Sequence, residues 1–157
     1  MSYLEAMRIS NMVYLLSPYH GGGRREIVHR PKTYCFDSGF IRYVNGWNEI
    51  RDNDRGLLWE HLVLDMLRTR FDDQQLFYWR DKSGREIDFV IRYKGNAVNV
   101  IECKINPDAL TTRNLKIFRS IYPSGKNYCY CPFIKEAYSL RKDGINVYFI
   151  GSLADLK

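Results

Sequence analysis

The sequence predicts an α/β domain built on a mixed central sheet, and three observations predict it. A helix-like apolar periodicity runs over 55–71. Two apolar runs, 86–93 and 97–104, flank Lys94-Gly95-Asn96 as the arms of a hairpin. A second helical stretch over 109–121 is followed by further short strands. Helix, three strands, helix and strands again is an α/β order.

The individual elements follow along the chain. Residues 3–9 suit a short helix with Tyr3, Leu4 and Met7 on one side, and the dense apolar run 12–16 reads as a strand ended by Ser17-Pro18. Gly21-Gly22-Gly23-Arg24-Arg25 is a turn, and 26–29 and 32–36 are short strands on either side of Pro31. Residues 37–39 turn into a helical piece over 40–44. Asp52, Asn53 or Asp54 can cap the helix at 55–71. At ~100° per residue, His61, Asp65, Arg68 and Thr69 form its polar arc, opposite Leu57, Leu64, Leu67 and Phe71. Glu60 falls among those apolar residues, where a carboxylate needs a partner, a metal or a proton. Residues 76–80 read as a strand, with Trp79-Arg80 packing at its edge. In 109–121, Leu115, Phe118 and Ile121 point inward; 127–133 and 145–150 are strands, and 136–140 has no clear assignment.

Composition excludes several classes. No apolar run in the 157 residues approaches the ~18 needed to cross a bilayer, and the mean hydropathy is −0.41. The first residues lack the basic and apolar stretches of a signal peptide, so the chain reads as cytoplasmic and free of membrane. Aromatic content of 15% excludes a disordered linker. Cys35, Cys103, Cys129 and Cys131 have no C-x-x-C spacing and read as reduced core residues, with Cys129 and Cys131 on one strand face. His20, His29 and His61 have no metal-ligand spacing. The net charge of +6 is compatible with phosphate-backbone binding, but net charge alone favours a solvated basic surface.

The chemistry-bearing pattern lies in the 86–104 hairpin. A turn centred near Gly95 makes facing residue numbers sum to roughly 190, which sets Asp88 opposite Glu102 within a position or so. Period two puts Glu102 and Lys104 on one face and Glu86 beside Asp88. Acids inside otherwise apolar strands have two readings. One is an internal salt bridge to Lys104, a weak contributor to stability. The other is a Mg²⁺ or Mn²⁺ site, in which the carboxylates hold the ion and the lysine offsets charge and positions a water. The residues alone leave both open.

Glu60 on a helix, Asp88 on a strand and Glu102-Cys103-Lys104 on the next resemble the PD-(D/E)XK nuclease superfamily, with Ile87 where the usual motif has proline. More narrowly, Lys32-Thr33-Tyr34-Cys35-Phe36-Asp37-Ser38-Gly39, Leu58-Trp59-Glu60, Tyr78-Trp79-Arg80-Asp81-Lys82-Ser83-Gly84-Arg85-Glu86-Ile87-Asp88-Phe89-Val90 and Ile101-Glu102-Cys103-Lys104 resemble a domain of unknown function found at the C-terminus of archaeal-type AAA+ ATPases. The resemblance implies a restriction-endonuclease-like αβββαβ core, with a mixed central sheet flanked by helices, that cleaves DNA with Mg²⁺ or Mn²⁺. Carried over by position, Asp88 and Glu102 are metal ligands, Lys104 is the catalytic lysine, and Glu60 contacts the metal directly or through water. Glu86 is an added candidate ligand.

The same resemblance implies a remnant of a winged helix in 1–36, a helix plus hairpin, ahead of a nuclease-like domain in 37–157. It also implies a longer protein with an AAA+ ATPase domain in cis or in trans. This chain carries no G-x-x-x-x-G-K-[S/T], so no nucleotide site is expected within it. Arg24 or Arg25 is a lesser candidate for a phosphate contact. Arg113, Lys116 and Arg119 recur at helical spacing as one basic stripe, usually a solvated face and, given a metal site, the first place to seek DNA phosphates. The alternative is a non-catalytic nucleic-acid-binding or regulatory module of an AAA+ ATPase, with the acids kept as ion pairs.

Overall fold

The computed structural model describes residues 3–21, 30–93 and 97–156. The expected strand at 26–29, the glycine–arginine turn from Gly22 to Arg25 and the hairpin tip at 94–96 lie outside the described residues. A short helix, α1 (Tyr3–Ile9), leads into a two-stranded antiparallel sheet of β1 (Val13–Leu16) and β2 (Lys32–Cys35). Two helices follow, α2 (Ser38–Val44) and α3 (Asp52–Arg68). The strands β3 (Leu76–Arg80), β4 (Glu86–Arg92) and β5 (Val98–Cys103) precede α4 (Arg113–Ile121). Then come β6 (Asn127–Tyr130), β7 (Tyr138–Lys142) and β8 (Ile145–Ile150).

The six later strands form one mixed sheet in the order β3-β4-β5-β6-β8-β7. β3, β4 and β5 run antiparallel, whereas α4 carries the chain across so that β6 lies parallel to β5. Apolar layers cover both faces. Val63, Leu64 and Leu67 of α3 pack with Phe89, Ile91, Ile101 and Tyr128, and Leu115 and Phe118 of α4 pack with Ile87, Val90, Val100 and Cys129. Burial on both faces explains why every residue of β5 is buried.

The hairpin register matches the expected pairing: Phe89 faces Ile101, Val90 faces Val100, Ile91 faces Asn99 and Arg92 faces Val98. On the other side of β4 the register shifts. Phe77 pairs with Val90 but Trp79 pairs with Ile87, so β4 carries one extra residue at the Asp88-Phe89 step. Ile87 and Val90 therefore share the α4 face, while Phe89 and Ile91 face α3.

Other details depart from the sequence expectations. Asp52, Asn53 and Asp54 lie within the first turn of α3, where the Asp54 carboxylate accepts the Arg51 N–H at 3.0 Å, so Arg51 holds the cap position. The helix ends at Arg68, and its buried stripe uses Val63 while Leu57 is 42% exposed. α4 is shorter than 109–121, because Pro107–Ala109 forms a separate 3-10 turn capped by the Asn106 side chain. The unassigned stretch near 136–140 is the edge strand β7, and β6 stops at Tyr130. Trp79 sits on an edge strand yet is fully buried, with its ring edge-on to Phe118. Gly125 holds φ 122°, and a Cβ there would stand 1.9 Å from the Val98 carbonyl oxygen, so only glycine lets this loop pass β5. All four cysteines are free thiols, buried except for the half-buried Cys35. Among the described residues no helix is long and apolar enough to cross a membrane.

Candidate functional site

Asp88 lies at the bulge in β4. On β5, the Val100 and Lys104 N–H groups donate toward β6, to Lys126 O and Tyr130 O. The intervening Cys103 N–H therefore faces β4. Its acceptor is Asp88 Oδ2 at 2.8 Å, a side chain in the place of a strand carbonyl. Glu102 and Lys104 share the other parity of β5, and Lys104 Nζ lies 2.8 Å from Glu102 Oε2 and 3.7 Å from Asp88 Oδ2. The lysine thus joins the two carboxylates of adjacent strands.

Electrostatics make this pair of acids reluctant anions. Burial, and then the Asp88 charge, push Glu102 up to about 8, with Lys104 pulling the other way. Burial and the Glu60 charge likewise raise Asp88. Burial opposes the charge on Lys104, but Asp88 and Glu102 overcome it and hold its pKa above the ordinary lysine value.

Glu60 and Glu86 form a second half of the cluster, organised by residues that the motif reading missed. Lys32 Nζ, from β2, lies 2.6 Å from Glu60 Oε1 and 2.5 Å from Glu86 Oε1. The Tyr34 hydroxyl donates to the same Glu60 oxygen at 2.6 Å. Arg80 pairs with Glu86 Oε2 through Nε at 2.5 Å. Glu86, two residues before Asp88 on β4, is engaged by Lys32 and Arg80. The one sequence signal for the missed residues is that Lys32 and Tyr34 alternate along a strand and so share a face.

All-oxygen donors suit a hard cation. Among the described residues no three of His, Cys, Asp and Glu stand close enough to hold a metal ion between them. Asp88 and Glu102 therefore fit a hydrated Mg²⁺ or Mn²⁺, which takes one or two carboxylates and keeps several waters, and do not build a closed cage. The basic stripe divides. Arg113 and Lys116 are exposed on α4. Arg119 is turned inward: its guanidinium donates to the carbonyls of Val98, Tyr122, Ser124 and Lys126 and to Asn127 Oδ1, a junction of α4, β5 and β6. Arg24 and Arg25 lie outside the described residues.

The model of a family described as a domain of unknown function (DUF4143) matches residues 55–152, a span that includes Glu60, Glu86, Asp88, Glu102 and Lys104. Uncharacterized proteins of Mycobacterium tuberculosis and Mycobacterium bovis are each 27% identical over 97 residues, 59% of this chain and 22% of theirs. The chain thus spans about a fifth of the length of the curated relatives it matches. A solved assembly of Thermococcus gammatolerans McrB AAA+ hexamers with bound McrC contains a chain similar over 60% of this one and 27% of its own, at 13% identity and a TM-score of 0.42.

Proposed function

The chain belongs to the DUF4143 family, and from that membership and the geometry of the acid–lysine cluster we propose that it is a Mg²⁺-dependent nuclease domain hydrolysing DNA phosphodiester bonds. The observation that carries the reading is Lys104 Nζ set between Glu102 Oε2 at 2.8 Å and Asp88 Oδ2 at 3.7 Å. A buried ion pair of this kind adds little to stability, so its place between apolar strands calls for another use. Asp88 and Glu102 would hold the ion. A divalent ion there polarises a phosphoryl oxygen and lowers the pKa of a bound water. Lys104 keeps its proton and presents an ammonium to a phosphate oxygen or to the attacking water, while balancing the carboxylates. Glu60 is held by Lys32 and Tyr34 and reaches the ion through water.

The order α3, β3, β4, β5, α4, β6 supports a restriction-endonuclease-like core. Residues 1–36 are then the end of a winged helix ahead of the domain in 37–157, and Arg113 and Lys116 the surface for DNA. The family is typical of AAA+ ATPase-associated proteins, which supports a working partnership with such an ATPase in cis or in trans. A second reading is favoured by the pairing of Glu60 and Glu86 with Lys32 and Arg80. It makes the cluster an ion-pair network in a non-catalytic module of the ATPase.

Supercoiled plasmid separates the two. With Mg²⁺ or Mn²⁺ the wild type should nick or linearise it, and Asp88→Ala and Lys104→Ala should lose on the order of a hundredfold or more in rate. Intact plasmid across salt concentrations, or equal cutting by the variants, rules the nuclease reading out.

A further inference from the structure

We infer that Lys32 is a built-in cation that limits the acid cluster to one divalent ion, held at Asp88 and Glu102, by occupying the two acids a second ion would need; this rests on the metal-site reading above. Lys32 comes from β2, in the small sheet, and not from the sheet that carries Asp88 and Glu102. Its ammonium lies 2.6 Å from Glu60 and 2.5 Å from Glu86. The rings of Tyr34 and Tyr78 stand 5.6 and 5.8 Å from it and favour a cation in that place. The remaining Glu86 oxygen is taken by Arg80, and the Lys32-bound Glu60 oxygen also accepts a hydrogen bond from the Tyr34 hydroxyl.

Charge divides accordingly. Glu60 and Glu86 are paired with Lys32 and Arg80, whereas Asp88 and Glu102 share Lys104 alone and, once ionised as ligands of a cation must be, keep one negative charge between them. One divalent ion reverses that small excess. A second, placed about 4 Å away as in two-metal sites, would have to displace Lys32 or accumulate several uncompensated positive charges. Lys32 is thus a positioning residue: it fixes Glu60 and Glu86 as neighbours of the ion and keeps them from being ligands.

Counting bound Mn²⁺ by electron paramagnetic resonance and calorimetry tests this without any cleavage assay. Wild type and Lys32→Arg should bind one ion per chain, Lys32→Met should bind two, and Asp88→Asn should lose about tenfold or more in affinity. Two ions in the wild type, or one ion in a Lys32→Met protein whose circular dichroism is native, overturns the inference and leaves the metal site standing. No ion in the wild type at millimolar Mn²⁺ removes the metal site and the inference together. Should Lys32→Met fail to fold, Glu86→Gln decides. Affinity within about twofold of wild type supports the pairing of Glu86 to cations, and a tenfold loss makes Glu86 a ligand and overturns the inference.

Discussion

The Asp88 carboxylate extends a backbone ladder: its Oδ2 accepts the Cys103 N–H at 2.8 Å, just beyond the end of the β4–β5 pairing at Phe89 and Ile101. Asp88 therefore has a structural duty separable from its charge. Asparagine keeps a carbonyl oxygen for Cys103 and removes an anion that burial and Glu60 disfavour. Alanine leaves the N–H unpaired. In urea titrations without metal near pH 8, Asp88→Asn should be at least as stable as wild type, with Asp88→Ala lower than Asp88→Asn by about 1–3 kcal/mol. Equal stability of the two variants would show that Cys103 does not depend on this oxygen.

Stability of the metal-free protein should fall as pH rises. Glu102 is raised from 4.5 to about 8, so across that window the native state holds a proton that the unfolded chain has released. The stabilisation is complete below the unfolded value and is lost as pH passes through about 8. The raised Asp88 acts in the same direction. In EDTA, the thermal midpoint should drop by several degrees between about pH 5 and pH 9, and Glu102→Gln should flatten much of the slope. A midpoint that rises over this range contradicts the buried, mutually repelling acids.

Part of the site is legible in the sequence for a physical reason. An apolar hairpin with a glycine turn has few ways to pair, so its register from Phe89–Ile101 to Arg92–Val98 and the shared parity of Glu102 and Lys104 follow from counting residues. The bulge leaves no clear trace: the apolar residues Phe89-Val90-Ile91 that follow Asp88 suit either face, so nothing marks the residue at which the alternation of Glu86-Ile87-Asp88 slips. Lys32 reaches Glu60 and Glu86 from a separate sheet, and local periodicity carries no information about which elements meet. The same limit affects α3 and α4. Helical spacing gives the angle of Leu57 or Arg119 but not whether a neighbour covers the one or a set of carbonyls awaits the other.

Arg119 should behave as a structural residue and its stripe-mates as surface ones. Its guanidinium satisfies four carbonyls and the Asn127 side chain at once, a fork that lysine cannot reproduce. Arg119→Lys should lose about 2–3 kcal/mol in denaturant unfolding, whereas Arg113→Ala and Lys116→Ala should stay within about 0.5 kcal/mol. If Arg113 and Lys116 contact DNA phosphates, each alanine lowers the slope of log affinity against log salt by about 0.9. A stable Arg119→Lys protein with a reduced slope would return Arg119 to the DNA surface.

Tyr34 and Lys32 should prove energetically coupled through Glu60. The Tyr34 hydroxyl and the Lys32 ammonium each stand 2.6 Å from Glu60 Oε1. Burial and the Glu60 charge keep the tyrosine protonated, so it remains a donor. Tyr34→Phe retains the ring that packs on His61 and Phe89 and deletes only the donor. Its cost should be about 1.5–3 kcal/mol, as for a hydrogen bond to a charged partner. Once Lys32→Met has removed the other donor, the hydroxyl is the nearer remaining support for a half-buried carboxylate, and its deletion should cost more. A double-mutant cycle on urea midpoints should then give a coupling above about 0.5 kcal/mol. Additive losses would mean that the two groups do not share Glu60 in solution, and Lys32 would lose its place in the cluster.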